Sequence, residues 1–127
     1  MKIKIEELKE ISKQALKNIG FIDKDVETIL NHTLTAELEG KKSHGVVRIT
    51  KLKNQVASNK ISLTSGDPEI TTETPISLPL DGKSKTGLVV VAWALDKALD
   101  KDTTNWLLYL NIINKHISEL FKYDKCE

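Results

Sequence analysis

A chain of 127 residues has room for one ordinary domain, or for one domain and part of a second. Its 39% hydrophobic and 29% charged composition suits a soluble globular protein. Nineteen basic against eighteen acidic side chains leave a net charge of +1, which gives no case for charge-driven binding to nucleic acid or a membrane surface.

Residues 1–5 alternate Lys with Met or Ile and suit a short strand or an extended arm, without the apolar run of a secretory signal. A first helix is expected over residues 6–19, because Leu8, Ile11, Ala15, Leu16 and Ile19 recur at three and four and Gly20 stands where a C′ residue belongs. Phe21 and Ile22 should pack on the core. Asp23 is the expected N-cap of a second helix over residues 23–39, with Asp25 and Glu27 in its first turns. Val26, Ile29, Leu30, Leu34 and Leu38 form its stripe, and Gly40 ends it. A third helix is expected over residues 44–57, capped by Ser43, with Ile49, Leu52 and Val56 facing the core. Three amphipathic helices with tight connections predict a small helical domain over residues 1–60.

Residues 61–74 read as a linker, continuing a stretch rich in Asn, Ser, Thr, Gly and Pro that starts at Asn59. The period then changes. Ile76, Leu78 and Leu80 alternate with Ser77 and Pro79, as in a strand with one buried face, and Pro79 puts that strand at an edge. Asp81-Gly82 signals a turn. Residues 86–100 suit a helix whose Val89, Val91, Ala92, Leu95 and Leu99 face a sheet. The run 88–95 is too short to span a bilayer. From about residue 103 the character changes again. Residues 105–127 hold no glycine, and Trp106, Leu110, Ile113, Ile117 and Leu120 recur at helical spacing behind Thr103 or Thr104 as a cap. The fold class expected is α+β: a three-helix domain, then an α/β piece over residues 75–127 with a divergent tail. The single Cys126 makes no internal disulfide, which fits a reducing, cytoplasmic setting.

The most specific chemistry lies between Gly40 and Arg48. His44 and Arg48 are four apart, and on one helix they would share a face. A guanidinium grips a carboxylate with two parallel bonds, a helix N-terminus favours the anion, and an imidazole can move a proton at an oxygen beside it. The plainer readings are a cap for Ser43, a surface imidazole for His44 and a solvated helix residue for Arg48. Lys41, Lys42, Lys51 and Lys53 read as a solvated face, and His32 as structural or exposed. Three dispersed histidines and one terminal cysteine build no zinc site, and neither G-x-G-x-x-G nor a P-loop is present.

Ala36, Gly40, Ser43-His44-Gly45 and Arg48 match the pattern A-x-x-x-G-x-x-S-H-G-x-x-R. In these six positions the chain resembles the malate/L-lactate dehydrogenase family, NAD(P)-dependent oxidoreductases that do not use a Rossmann fold. The similarity runs from about Ile5 to Leu99, and Asp81, Gly82 and Gly87 match the family's DG-x-x-x-x-G at the entry to its cofactor-binding domain. The resemblance implies hydride transfer between NAD or NADP and a small 2-hydroxy or 2-keto acid. It implies His44 as proton donor, Ser43 holding the imidazole, Arg48 on the substrate carboxylate, and a homodimer. His116 can be laid on the family's loop histidine, although Ser118 stands where glycine is expected. Family members are more than twice this length, so most of the dinucleotide site is expected beyond Glu127. Two alternatives follow from the residues: a catalytically inactive truncated or frameshifted fragment, favoured by the glycine-free tail, and a small helix-turn-helix DNA-binding module, opposed by the charge balance.

Overall fold

A computed structural model describes residues 2–75 and 77–100 of the chain. The expected tail helix, its Thr103 or Thr104 cap, His116 and Cys126 lie outside the described residues, as does Ile76. Contacts gather into two compact units that divide between Leu63 and Thr64. The first contains α1 (Ile5–Ile19), α2 (Asp23–Leu38), a 3-10 turn (Lys42–His44) and α3 (Val47–Ala57). The second contains β1 (Glu69–Ile70), β2 (Leu80–Asp81) and α4 (Gly87–Asp100). Among the described residues this is an α+β chain, helical first and mixed afterwards.

In the first unit α1 packs on both α2 and α3. Its contact face is turned towards Ser12 and Leu16, both buried, so Leu8, Ala15 and Ile19 are half-buried and Ile11 stands exposed at the rim. Gly20, at φ +114°, closes the helix: its N–H donates to Lys17 O at 3.0 Å and the Phe21 N–H to Leu16 O at 3.4 Å. This left-handed closure brings Phe21 back onto Leu16. Of the expected pair only Phe21 is buried; Ile22 is exposed.

Asp23 is not a cap. The N-cap residue of α2 is Ile22, with no side-chain cap bond, and Asp23 is the first helical residue. There it still meets the positive end of the helix and pairs with Lys17 at 3.6 Å. Val26, Ile29 and Leu30 are fully buried, with Thr33 and Ala36 continuing the face, while Leu34 is half-buried and Leu38, at 65% exposure, lies off it. Thr33 is tolerated inside because its hydroxyl donates back to Ile29 O at 2.9 Å. Gly40 takes φ +79°, which lets Lys41 N–H reach Ala36 O at 2.9 Å and Gly40 N–H reach Glu37 O at 3.1 Å. A Cβ would be strained at that φ, so glycine is what turns the chain towards the next element. On α3, Ile49 and Leu52 are buried and Val56 half-buried. Asn59, at φ +58°, closes α3, with Lys60 N–H donating to Gln55 O at 2.9 Å.

The stretch read as a linker carries structure at both ends. Ile61 is buried, and β1 pairs antiparallel with β2 in the register Glu69↔Asp81 and Ile70↔Leu80. Thr71 N–H extends the hairpin by donating to Pro79 O at 3.0 Å, so Pro79 contributes a carbonyl where it has no N–H to give. Leu78 and Leu80 are buried between half-buried Ser77 and Pro79, which is the expected alternation. Asp81 Oδ1 accepts the Lys83 N–H at 2.8 Å and shapes the turn into α4. The expected sheet-facing set on α4 needs correction. Val89, Val90 and Ala94 are the buried residues, with Leu80, Val90 and Ala94 forming a core against which Trp93 packs. A two-stranded hairpin covers one narrow stripe, and Val91, Leu95 and Leu99, about 100° further round, stay exposed.

Leu52 is a direct probe of the helical core. Leu52→Ala is expected to lower unfolding stability by roughly 2–5 kcal/mol in chemical denaturation, the range for a buried leucine. A loss below about 0.5 kcal/mol would place it at the surface.

Candidate functional site

Three short pieces of chain build the site: the C-terminal half of α2, the 3-10 turn and the first turn of α3. After Gly40 the chain makes a 3-10 turn, with His44 N–H donating to Lys41 O at 3.0 Å and Gly45 N–H to Lys42 O at 3.2 Å. The helix itself begins only at Val47, behind Val46. Ser43 therefore does not cap α3, and His44 lies ahead of the helix rather than on its first turn.

The reason is Glu37. Its carboxylate reaches forward from α2, accepting the Val46 N–H on Oε2 at 3.1 Å and pairing with Lys42 Nζ through Oε1 at 2.6 Å. The side chain is only 17% exposed. The Lys42 bond, and then the Val46 bond, hold its pKa below the usual carboxylate range. The chain's own carboxylate thus occupies the positive end of α3, where a bound anion was expected to sit. Gly45 is a steric necessity here: a Cβ on it would run into the Glu37 carboxylate and lie 3.3 Å from Glu37 Cα. Lys42, read as part of a solvated face, is committed to this pair, and Lys41 pairs with Glu39 at 2.9 Å.

Released from capping, Ser43 Oγ lies 3.0 Å from His44 Nδ1. Both residues are exposed, and the contact leaves Nε2 as the ring nitrogen available to another molecule. Arg48 is half-buried one turn into α3. His32 is exposed on α2, yet its pKa is lowered, first by partial burial and then by the charges of Arg48 and His44. His32 thus lies within electrostatic reach of both Arg48 and His44, and Ser43 contacts the His44 ring. His32 is the member that the sequence reading passed over. The available signal was its spacing: it stands four residues before Ala36, one helical turn ahead of the motif's first residue.

This donor set suits a small anion and a proton transfer. Among the described residues no cluster of His, Cys, Asp and Glu forms a metal site. The Asp81–Thr86 turn is packed on the chain itself: Lys83 and Ser84 carry side chains at φ +54° and +57°, and Lys85 and Thr86 are buried. Gly82 and Gly87 are themselves buried there. No described helix is long and apolar enough to cross a membrane.

The profile of the family described as malate/L-lactate dehydrogenase matches residues 3–116. No curated protein gives a significant sequence match. Among solved structures, malate dehydrogenase from Pyrococcus horikoshii OT3 aligns with TM-score 0.74 and 23% identity over 80% of this chain and 29% of that one. Sulfolactate dehydrogenase from Methanocaldococcus jannaschii aligns with TM-score 0.73 and 27% identity over 82% of this chain and 30% of that one. Malate dehydrogenase from Entamoeba histolytica gives TM-score 0.71 and 24% identity over 80% and 28%. The chain thus spans less than a third of the length of the structures it resembles.

The lowered His32 pKa makes a pH prediction. The unfolded chain holds that proton more readily, so stability should fall as pH drops from about 6.5 towards the folded value, then level off. His32→Gln should flatten this part of the stability–pH curve. Glu37 acts in a separate window, its contribution fading only as pH falls below about 4.5. An unchanged slope between about pH 7 and 5 in His32→Gln would contradict the placement of His32 near Arg48 and His44.

Proposed function

The chain belongs to the malate/L-lactate dehydrogenase family, and from that premise we propose that it provides the substrate-binding and proton-transfer part of an oxidoreductase acting on a small 2-hydroxy or 2-keto acid with NAD or NADP. What supports this reading is the Ser43–His44 contact inside the family motif, with Arg48 one turn into α3 and both Arg48 and His44 acting electrostatically on His32. Arg48 grips the substrate carboxylate with its two-pronged donor face. That grip sets the C2 oxygen beside His44 Nε2. In the oxidative direction Nε2 accepts the hydroxyl proton, and in the reductive direction it returns a proton to the same oxygen. Ser43 Oγ, accepting from Nδ1–H, keeps the other ring nitrogen protonated in both directions, so the exchangeable proton stays at Nε2. In this reading Arg48 holds the acid and His44 moves its proton. We extend the family reading to a homodimer in the cytoplasm.

A second reading is that this chain binds such acids without turning them over. The crowded turn before α4 favours it. Titration with NADH and NADPH, followed by cofactor fluorescence, separates the two. Saturable binding with turnover supports the enzyme, and no binding at millimolar cofactor supports the second reading.

Where turnover is present, His44→Ala should lower kcat by roughly 10²–10⁴-fold, because it removes the group that moves the proton. Arg48→Ala should chiefly raise KM, and Arg48→Lys should restore it only in part, since an ammonium lacks the two-pronged grip. An unchanged kcat in His44→Ala would assign the proton to another group.

A further inference from the structure

Beyond the proton donor and the carboxylate clamp, we propose that Glu37 is a positioning residue: seated in the space Gly45 leaves by lacking a Cβ, its carboxylate sets where Ser43 and His44 are presented. The functional meaning of this rests on the reading of His44 given above. Ser43 and His44 are both exposed, so burial does not hold them in place. Their contact at 3.0 Å orients the ring relative to Ser43, and it leaves the pair free to move together relative to α3. Glu37 supplies what is missing. One oxygen ties down Lys42, just before the pair, and the other ties the backbone at Val46, just after it. Only Ser43, His44 and Gly45 lie between the two ties. The turn at Gly40 fixes how the chain leaves α2, so the segment is held from the same helix at its start and through its length. The depressed Glu37 pKa is in keeping with a carboxylate that stays charged across the neutral range. Gly45 belongs to the same device, since a side chain there would expel the carboxylate from its seat.

The test is made on the full chain and needs no turnover. The His44 ring is read by proton–nitrogen correlation spectra, the Val46 amide by hydrogen exchange, and the fold by circular dichroism. Glu37→Ala should shift the His44 ring resonances, as the pair is presented differently, and speed Val46 exchange roughly tenfold, the worth of one hydrogen bond, with helix content kept. Glu37→Gln keeps an oxygen for Val46 but offers Lys42 an amide. It should retain Val46 protection while still altering the His44 ring, and it carries the test should the alanine variant fail to fold. Gly45→Ala alone should move the His44 ring in the direction of the Glu37→Ala spectrum, and adding it to Glu37→Ala should give less than the sum of the two changes, because the carboxylate it displaces is already gone and only the contact with Cα of residue 37 at 3.3 Å remains. An unaltered His44 ring in Glu37→Ala or Glu37→Gln would overturn the proposal, as would independent, additive effects of the Glu37 and Gly45 substitutions. A chain that shows the spectral response and no turnover loses the proposed reaction and keeps the positioning role.

Discussion

The first N–H groups of α3 have no partners within the helix, and one of them must be satisfied from outside. The fold satisfies Val46 with Glu37, eight residues before Gly45 and on the preceding helix, rather than with the adjacent Ser43. Much of the site follows from that choice. The carboxylate needs room, which makes residue 45 a glycine. It pairs with Lys42, whose side chain stays exposed, as its counter-charge. It leaves the Ser43 hydroxyl unused by the backbone and therefore available to the His44 ring. It also neutralises the positive end of α3, so in the proposed reading the acid is held by side chains, Arg48 above all, rather than by the helix dipole.

Much of the fold was readable from periodicity. Buried Leu16, Ile29, Leu30, Ile49 and Leu52 all belong to the three-and-four pattern, and the left-handed glycines Gly20 and Gly40 end helices where the stripes end. The failures fall where another part of the fold overrules the local pattern. Ser43 has the chemistry of a cap, and only the approach of Glu37 displaces it. Asp23 fails as a cap because the turn at Gly20 delivers the chain in helical form one residue earlier than the pattern suggests. The hairpin partner Glu69–Ile70 is two residues long, below what any alternating pattern can reveal, and its narrowness decides which stripe of α4 is covered.

The site was half readable. The motif singled out Ser43, His44 and Arg48, but the argument from helical spacing was not the geometry the chain uses, since His44 sits on the 3-10 turn. His32 carries no motif of its own. Its place near Arg48 and His44 follows from the packing of α2 against that turn, which local sequence does not show. Family membership extends over most of this chain.

The central claim is that Arg48 and His44 form one site for a small 2-keto acid. It is tested most directly with oxamate, an unreactive acid of that shape, titrated into the chain while the His44 ring resonances are followed. The account predicts a saturable shift of those resonances that is abolished in Arg48→Ala, because the guanidinium grip brings the acid to the imidazole. A shift of equal size and affinity in Arg48→Ala, or none in the native chain, would contradict it.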